Sequence, residues 1–464
     1  MGKYYRLKNH IVLRGWNGLP FGIVDQITGH TDFRFYRISG LISLCTGEVD
    51  FEGLFFTDED RQRLQEVQRE GFLDCFPSAI PRITKEQEFK KYPNAYIDTV
   101  QWSITGRCNY HCRHCYMDAP CGTGRDVSLG EAEIITEEFV KAGVFSVSLT
   151  GGEPLVHPDF WKIVDLLLEK GIRVATIYTN GFLIDEHFFD NLNARGIKPR
   201  ISLSYDGAFG MHSWLRQVPE ADHHIERAFK ACREHGIRTS AEMCIFRRNS
   251  RYLKDSIRWL AEAGCETLKI NRLVKQGAAK NMEGEFLETE ELIGILESFL
   301  NDWKEMKPEM EINCAGYLFM DRKGNITIPF AGKNPDAVAE NCYACNSARF
   351  HMYLDASGHC LPCISYAENR EDVSGFPLIL DHGLCEILSD SSFLTIGSMK
   401  LSEVYDENPD CRRCGYFNVC TTGCRARAKH TGCGNYKGKD RDCCEFFHKG
   451  YYQRLLMKID ELRD

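Results

Sequence analysis

Residues 98–310 alternate between short apolar segments of β type and longer helical segments, and this alternation constrains the fold more than any other feature. Strands are predicted at 99–104, 144–149, 172–178, 200–204, 238–245 and 266–271. Helices are predicted at 128–142, 158–170, 184–195, 220–235 and 252–264, with another at 285–304. Successive strand–helix units predict a parallel sheet with right-handed crossovers. Six units are too few for a closed eight-stranded barrel, so we expect an α/β fold in the form of an open, partial barrel.

Residues 1–95 differ from this pattern and are predicted to form a small α+β module. A helix is expected to begin after the N-cap Thr57, because Asp60 stands three residues further on. The predicted elements are strands at 33–38 and 47–51, a helix at 57–71 and a closing strand at 72–76. The segment 77–95, which contains Pro and Lys, is predicted to be a linker.

Residues 311–464 end the alternation. They are rich in Gly and Cys and show little apolar periodicity until an amphipathic helix that begins near Phe446. Such a segment has too few apolar residues in register to build a large core of its own. We therefore expect bound metal to stabilise its fold.

Cysteine is the compositional outlier, at 22 of 464 residues, and twelve of the 22 lie between Cys342 and Cys444. Disulfides would explain this in a secreted chain, but the N-terminus lacks an apolar signal segment. No apolar run approaches the ~20 residues that a membrane span needs. We therefore expect a cytoplasmic protein without a membrane segment, whose clustered thiols hold metal. The net charge of −9 argues against nucleic acid as a partner.

Three cysteines lie together on one predicted loop. Cys108, Cys112 and Cys115 follow directly after the strand at 99–104, at the sheet edge where parallel αβ barrels place their active sites. Three thiolates can bind three irons of a [4Fe–4S] cluster and leave the fourth iron open. A structural zinc site would need a fourth ligand, for which Cys121 is a candidate.

Polar groups follow the next three strands at the same edge. They are Gly151, Gly152 and Glu153 after the second strand, Asn180 after the third, and Ser204, Asp206 and Arg216 after the fourth. Paired glycines let the backbone approach a ligand closely, and a carboxylate accepts hydrogen bonds from a cationic group. Any one of these residues alone is more typical of a cap or a turn. Their recurrence around one edge predicts a binding site.

The CxxxCxxC spacing, with Gly151-Gly152-Glu153 downstream, resembles the radical S-adenosylmethionine (SAM) enzymes over about residues 97–310. The resemblance implies that the amino and carboxylate groups of SAM chelate the open iron. It places the methionine amine on Gly151 to Glu153, its carboxylate on Ser204 and Arg216, and the ribose near Asn180 and Asp206. It also implies that reductive cleavage of SAM yields a 5′-deoxyadenosyl radical, while the protein orients the cofactor and excludes water.

A second cysteine array lies in the C-terminal segment, with the spacing CxxC-x5-CxxxC from Cys411 to Cys424. It resembles the SPASM domain, which carries two auxiliary [4Fe–4S] clusters. The resemblance assigns the first auxiliary cluster to Cys342, Cys345, Cys363 and Cys424. It assigns the second to Cys411, Cys414, Cys420 and Cys443. Cys360 competes with Cys342 or Cys345, Cys444 competes with Cys443, and zinc is the alternative metal.

These observations predict a radical SAM/SPASM oxidoreductase that uses SAM and three [4Fe–4S] clusters to modify a ribosomally made peptide. Residues 1–95 faintly resemble the winged-helix element that binds leader peptides, and capture of an extended leader would be β-augmentation. The predicted domains are 1–95 for recognition, 96–310 for the radical SAM core and 311–464 for the SPASM domain. The predicted partners are a precursor peptide of leader and core and a one-electron reductant such as flavodoxin or ferredoxin.

The product would be a thioether or carbon–carbon crosslink. A second enzyme reading is a sulfatase-activating maturase that oxidises Cys or Ser to formylglycine, and that family does not need a leader-binding module. The non-enzyme reading is a zinc-stapled binding protein with a winged helix for DNA, against which the net charge counts.

Overall fold

The computed structural model describes residues 2–34, 37–117, 124–329, 340–345, 347–367 and 373–463. The strands in the N-terminal part are β1 Tyr4–Leu7, β2 Ile11–Trp16, β3 Leu19–Asp25, β4 Thr31–Phe33, β5 Thr46–Asp50, β6 Leu73–Phe76 and β7 Lys90–Tyr92. Those of the central part are β8 Thr99–Ser103, β9 Ser146–Thr150, β10 Arg173–Thr179, β11 Arg200–Ser204, β12 Thr239–Ile245 and β13 Thr267–Arg272. The C-terminal part adds β14 Glu311–Cys314, β15 Leu318–Met320, β16 Ile326–Thr327, β17 His351–Leu354 and β18 Cys360–Leu361.

One large sheet has the strand order β16-β15-β14-β13-β12-β11-β10-β9-β8-β17-β18. Strands β8 to β13 are parallel neighbours in chain order, which confirms the six predicted strand–helix units and the α/β fold class. The parallel run continues beyond them, because β14 pairs parallel with β13 and β17 pairs parallel with β8. The sheet is therefore open, and residues beyond 310 contribute strands at both of its ends.

Helices connect the parallel strands. The longer helices are Leu129–Ala142, Phe160–Glu169, Glu186–Ala194, Ala221–Glu234, Leu253–Glu262 and Thr289–Met306. Alternate strand residues such as Val100, Trp102, Val147 and Leu149 are buried with the helices' apolar faces in one core. The first helix begins at a capping box, in which Ser128 and Glu131 bond each other's backbone N–H groups.

Shorter helices complete the structure. They are Arg37–Ser43, Asp58–Arg69, Met211–Arg216, Arg247–Ser250, Ser347–Phe350, Ile379–His382, Leu384–Ile387, Ser392–Gly397, Leu401–Glu407, Phe417–Cys420, Arg425–Arg427, Arg441–His448 and Tyr451–Arg463. Single turns of 3-10 helix occur at Pro154–Val156, Gly277–Asn281, Ile364–Tyr366 and Cys411–Arg413, and Ala428–Cys433 is a π-helix. None of the helices in the described ranges has the length and apolar character needed to cross a bilayer.

The N-terminal segment is an α+β module with two small sheets, in the orders β5-β1-β6 and β4-β3-β2-β7. The strand predicted at 33–38 is wrong, because β4 ends at Phe33 and a helix begins at Arg37. Ile38, Leu41 and Ile42 have helical spacing, and all three pack into the module's own core. Residues 35 and 36 lie outside the described ranges.

The predicted linker at 77–95 is ordered in part. Its residues 90–92 form β7, which pairs parallel with β2. Upstream, Ile80 and Ile83 donate backbone hydrogen bonds to the carbonyl oxygens of Gly47 and Thr46 in β5, at 3.0 and 3.1 Å. Backbone pairing along this segment holds it against both sheets of the module.

The chain returns to the barrel at its C-terminus. The helix predicted from Phe446 is two helices, Arg441–His448 and Tyr451–Arg463, separated by Gly450 at a φ of 77°. Glycine adopts this left-handed conformation without strain. Arg454 pairs with Glu297 of the helix Thr289–Met306, with 2.6 Å between Nη2 and Oε2. The last helix therefore packs on the outside of the barrel.

Candidate functional site

The three-cysteine loop rests on the glycine pair that follows β9. The N–H of Gly152 donates to the carbonyl oxygen of Thr105 at 2.9 Å, and the N–H of Glu153 donates to that of Arg107 at 2.9 Å. A Cβ at Gly151 would lie 2.5 Å from the Thr105 oxygen, and a Cβ at Gly152 would lie 2.3 Å from the Arg107 oxygen. Any side chain at either position would push the loop away. Both glycines therefore seat the cysteine loop on the sheet edge.

The thiols of Cys108, Cys112 and Cys115 lie close to one another on this loop. Burial, together with the nearby Glu153 carboxylate and the two neighbouring thiols, raises the pKa of the Cys108 thiol to about 12. The N–H of Tyr110 donates to Cys108 Sγ at 3.4 Å, and the N–H of Ala278 donates to the Cys115 carbonyl oxygen at 2.9 Å. Three crowded, partly buried thiols favour a bound cation that holds them as thiolates.

Glu153 is buried beside the loop, with 1% of its surface exposed. Its Oε2 accepts from the N–H of Asn180 at 2.7 Å, and its Oε1 accepts from the Thr179 hydroxyl at 2.8 Å and the Leu155 N–H at 3.2 Å. Burial raises the pKa of the Glu153 carboxyl to about 7, although the hydrogen bonds oppose the rise. Oε2 accepts one of these bonds and has capacity for another donor.

Asn180 ties the end of β10 to the cysteine loop. Its Nδ2 donates to Asn109 Oδ1 at 2.7 Å, and its Oδ1 accepts from the N–H of Phe182 at 3.0 Å. Asn109 stands directly after Cys108 and was not singled out from the sequence. Its position inside the cysteine motif could have identified Asn109 as a site residue.

Asp206 and Arg216 form a buried ion pair below the loop. Arg216 Nε lies 2.7 Å from Asp206 Oδ2, and Arg216 Nη1 lies 3.7 Å from Cys112 Sγ. Asp206 is fully buried and also accepts from the N–H of Cys244 at 3.0 Å. Arg216 and these hydrogen bonds hold the pKa of Asp206 well below its usual range, despite burial. The pair remains ionised and places a positive charge against Cys112.

Two histidines beside this pair were missed by the sequence analysis. His212 Nδ1 lies 3.2 Å from Asp206 Oδ2, while His212 Nε2 and His114 Nδ1 are buried without a hydrogen-bond partner in the described part of the chain. Burial, together with the positive charge of Arg216, lowers the pKa of His114 to about 4. The His114 imidazole is therefore neutral. Its position between Cys112 and Cys115 could have identified His114 as a site residue.

Ser204 ends β11 and is half-buried. It stands opposite Glu242 in the parallel register with β12. The structure thus brings Glu153, Asn180, Ser204, Asp206 and Arg216 to the sheet edge that carries the cysteine loop. Cys121, the candidate fourth ligand for zinc at this loop, lies outside the described residues.

A second group of thiols surrounds Tyr366. Cys345, Cys363 and Cys424 interact through their charges, and burial raises the pKa of Cys363 to about 12. The buried hydroxyl of Tyr366 beside them has no hydrogen-bond partner among the described residues. Cys342 is exposed, three residues before Cys345.

Cys360 lies in a different core cluster from the thiols beside Tyr366. It is fully buried in β18 and packs in the core of the large sheet, away from the Tyr366 group. Asp355 is the charged neighbour that raises its pKa beyond the effect of burial, and no thiol contributes. Cys360 therefore packs in a different core cluster from Cys345, Cys363 and Cys424.

A third group lines a cavity of about 190 Å³. Its thiols are Cys411, Cys414, Cys420 and Cys444. Cys443 is buried beside them, with 3.5 Å between its Sγ and that of Cys420. His448 Nε2 lies 3.5 Å from Cys414 Sγ in the same cavity. Cys443 and Cys444 both reach this group, so the choice between them stays open.

The donors in all three groups fit iron–sulfur clusters. All three groups consist mainly of thiols, and thiolates are the ligands that such clusters take. Within the described ranges, no three Cys, His, Asp or Glu side chains converge as the ligands of one metal ion would. A cluster places its thiolates on separate irons and does not need that convergence. The buried Tyr366 hydroxyl, which has no hydrogen-bond partner among the described residues, lies beside the thiols of the second group.

Several known proteins are similar to this chain in sequence or in fold. Residues 102–260 match the Radical SAM superfamily. The AdoMet-dependent heme synthase of Oleidesulfovibrio alaskensis is 26% identical over 355 residues, 74% of this chain and 86% of that protein. The mycofactocin maturase MftC of Mycobacterium tuberculosis is 26% identical over 379 residues, 79% of this chain and 87% of that protein. Streptococcus suis SuiB bound to precursor peptide SuiA superposes with a TM-score of 0.69 at 14% identity, covering 95% of this chain and 99% of that chain.

The matched residues contain the cysteine loop, the glycine pair with Glu153, and the Asp206–Arg216 ion pair. The shared fold with SuiB spans nearly the whole chain, so it reaches from the N-terminal module to the C-terminal cysteine groups. Residues 102–260 therefore form a Radical SAM domain, and it lies within an α/β fold that is similar to that of SuiB.

Proposed function

We propose that this chain is an oxidoreductase that modifies a ribosomally made peptide by radical chemistry. A [4Fe–4S] cluster and SAM, when bound, supply a 5′-deoxyadenosyl radical that takes a hydrogen atom from the substrate. One observation carries the proposal: crowded thiols, a buried carboxylate and a buried arginine meet at one edge of a parallel sheet. The N-terminal module supports a peptide as the substrate.

Different residues of the barrel edge would contact different groups of SAM. Cys108, Cys112 and Cys115 would hold the cluster. Oε2 of Glu153, with the backbone of Gly151 and Gly152, would receive the methionine amine. Arg216 and Ser204 would receive the carboxylate, and Asn180 would lie near the ribose. Asp206 is fully buried, which favours a role behind Arg216 over the ribose contact inferred from the sequence.

The C-terminal thiols would hold two auxiliary [4Fe–4S] clusters. The proposed ligands of the first are Cys342, Cys345, Cys363 and Cys424. Those of the second are Cys411, Cys414, Cys420 and either Cys443 or Cys444. Such clusters could accept an electron from the substrate radical after hydrogen abstraction. The substrate would then lose one hydrogen atom to the deoxyadenosyl radical, one electron to the cluster and one proton to solvent, which amounts to two hydrogens for each thioether or carbon–carbon bond formed.

A leader peptide would add a strand to β6 in the N-terminal module. The other outer strand of that sheet, β5, already accepts backbone bonds from Ile80 and Ile83. No strand in the described ranges pairs with the outer edge of β6. An open edge offers unpaired N–H and C=O groups, which is the requirement for β-augmentation.

The orientation of those groups follows from the register. The Lys8 N–H donates to the Phe72 carbonyl oxygen at 3.1 Å, and Arg6 stands opposite Asp74 two residues further along. Hydrogen-bonded pairs alternate in an antiparallel ladder, so Phe72 and Asp74 face β1. The backbone groups of Leu73 and Cys75 therefore face outward, toward the proposed leader.

Deleting residues 1–95 tests this proposal. The deletion should abolish modification of a precursor peptide encoded beside this chain, while formation of 5′-deoxyadenosine without peptide survives. The reason is that leader binding raises the effective concentration of the core peptide, whereas SAM cleavage needs only the barrel. Iron content and circular dichroism must match the intact protein. Equal modification rates would contradict leader recognition and favour the sulfatase-type reading.

The similarity to AdoMet-dependent heme synthases favours one other substrate class, an iron porphyrin. Incubating the reduced, iron-loaded enzyme with SAM and either iron coproporphyrin III or the precursor peptide separates the two. Deoxyadenosine formation stimulated by the porphyrin alone would overturn the peptide proposal. A formylglycine product would instead point to the sulfatase type. Stoichiometric zinc with little iron in anaerobically prepared protein would favour the zinc-stapled binding protein.

A further inference from the structure

Arg425 is buried, and no carboxylate pairs with it among the described residues. It begins a short helix directly after Cys424, and 1% of its surface is exposed. Its Nη1 donates to the carbonyl oxygens of Tyr436 at 3.0 Å and Gly438 at 2.9 Å, and its Nη2 donates to that of Thr422. Its Nε has no hydrogen-bond partner among the described residues. All the recorded acceptors of this guanidinium are neutral.

Arg427, two residues further on, has a carboxylate partner, unlike Arg425. Its Nη2 lies 2.9 Å from Oδ2 of the buried Asp440 and its Nε lies 3.1 Å from the same atom. No such carboxylate pairs with Arg425 in the described part of the chain. A buried charge without a counter-charge is strongly unfavourable, because neutral carbonyl groups replace only part of its hydration. Arg425 therefore requires an anion that its own side-chain contacts do not supply.

The two C-terminal cysteine groups would supply it. Arg425 follows directly after Cys424 of the Tyr366 group, and it donates to the carbonyl oxygen of Tyr436, whose ring packs against Tyr366. Its Nη2 donates to the carbonyl oxygen of Thr422, which lines the 190 Å³ cavity of the other group. The guanidinium therefore contacts residues of both groups.

We propose that Arg425 is the shared counter-charge of the two auxiliary clusters and raises their reduction potentials. The inference rests on the proposed presence of these clusters. Reduction adds one negative charge to a cluster, so a fixed positive charge nearby stabilises the reduced form more than the oxidised form. Charge and hydrogen bonding around the sulfurs are established determinants of cluster potential. Arg425 would thus be a positioning residue that favours electron acceptance by both clusters.

The test uses full-length protein in which Cys108, Cys112 and Cys115 are all Ala, so that only auxiliary clusters contribute to the spectra. Iron analysis comes first and should give about eight irons, which tests the clusters themselves. EPR-monitored redox titration then compares Arg425 with Arg425→Met. Removing the charge should lower the reduction equilibrium constant of at least one cluster tenfold or more, which is about 59 mV for a one-electron couple. A change below threefold with full iron content would overturn the proposal.

Arg425→Lys separates charge from hydrogen bonding. It keeps the charge but cannot reproduce the planar set of bonds to three carbonyl oxygens. We expect potentials within threefold of those with Arg425. Arg412→Gln is the matched control, because Arg412 adjoins Cys411 but is exposed and paired with Glu340 and Asp406, so water screens its charge. It should shift neither potential by more than threefold.

Failure of the Met variant to retain iron also has a defined meaning. Iron loss in Arg425→Met but not in Arg425→Lys supports a required positive charge. Iron loss in both variants, or a tenfold shift in the Lys variant, would show that the carbonyl hydrogen bonds matter and the charge does not. Either result would overturn the proposal. Fewer than about eight irons before Arg425 is altered would count against the clusters instead.

Discussion

Arg216 and Asp206 form a buried ion pair whose Nε and Oδ2 atoms lie 2.7 Å apart, directly below the three-cysteine loop. Arg216 Nη1 also lies 3.7 Å from Cys112 Sγ. A single guanidinium therefore connects the end of β11 to the proposed cluster ligands. Among the described residues, Asp206 is the carboxylate within ion-pair distance of that guanidinium.

The first prediction concerns Asp206→Asn. Removing one charge of a buried pair leaves the other uncompensated, so the free energy of unfolding should fall by about 3–5 kcal/mol. Urea denaturation of the iron-free protein measures this change. Asp190→Asn is the control, since Asp190 is exposed on the helix Glu186–Ala194 and should change stability by about 0.5 kcal/mol or less. Equal effects of the two substitutions would contradict the ion pair's role.

The second prediction follows from the pKa of about 7 at Glu153. Burial raises this pKa above its usual value, so the carboxyl is mostly neutral below pH 7 and gains its charge as the pH rises through 7. If the ionised form receives the methionine amine, the affinity for SAM should fall roughly tenfold from pH 7.5 to pH 6. Equilibrium dialysis with the iron-loaded enzyme measures the affinity.

Glu153→Ala should remove that pH dependence and weaken SAM binding by about 1.5–3 kcal/mol, because the amine loses a charge-assisted hydrogen bond. Glu169→Ala is a suitable control, since Glu169 is exposed at the end of its helix. Unchanged SAM affinity in Glu153→Ala would show that the amine binds elsewhere.

The third prediction distinguishes two cysteines that stand three residues apart. Anaerobically reconstituted protein should contain about twelve irons, and replacing Cys108, Cys112 and Cys115 together by Ala should leave about eight. Cys363→Ala should weaken or remove one auxiliary cluster, because Cys363 lies with Cys345 and Cys424. Cys360→Ala should keep about twelve irons, because Cys360 packs in the sheet core.

The same iron analysis, with Mössbauer spectra, compares Cys443→Ala with Cys444→Ala. The true fourth ligand of the second auxiliary cluster should be the one whose loss perturbs its iron spectrum. Loss of four irons on replacing Cys360, with Cys363→Ala unaffected, would reverse the assignment drawn from their burial.

The fourth prediction tests the open edge of β6. Cys75→Pro removes a backbone donor that faces outward and leaves the bonds to β1 in place. It should slow modification of a leader-containing peptide by about tenfold, the effect of losing one hydrogen bond at the upper end of its usual contribution. Cys75→Ala changes only the side chain and should retain the rate. Similar rates for the Pro and Ala variants would place the leader at another surface.

Local sequence patterns were sufficient to predict the strands and helices of the barrel and the types of residue in the site. Strands β8 to β13 are apolar runs separated by amphipathic helices, and such periodicity is set within each segment. The spacing of Cys108, Cys112 and Cys115 on one loop, and of Cys411 to Cys424, is likewise local. These features predicted a radical SAM domain, which the match over residues 102–260 supports, and three groups of thiols, without knowledge of distant contacts.

Contacts between distant segments decided the rest. The strand predicted at 33–38 fails because Ile38, Leu41 and Ile42 pack as a helical face into the N-terminal core. Strands β14 and β17 join opposite ends of the barrel sheet. Both lie in the C-terminal segment, where the alternation of strands and helices in the sequence has ended. Cys360 and Cys363 look equivalent in the sequence, yet one packs in the sheet core and the other beside Tyr366. Burial and pairing depend on residues far apart in the chain. No local pattern could therefore specify that Asp206 pairs with Arg216, or that Arg425 has no carboxylate partner among the described residues.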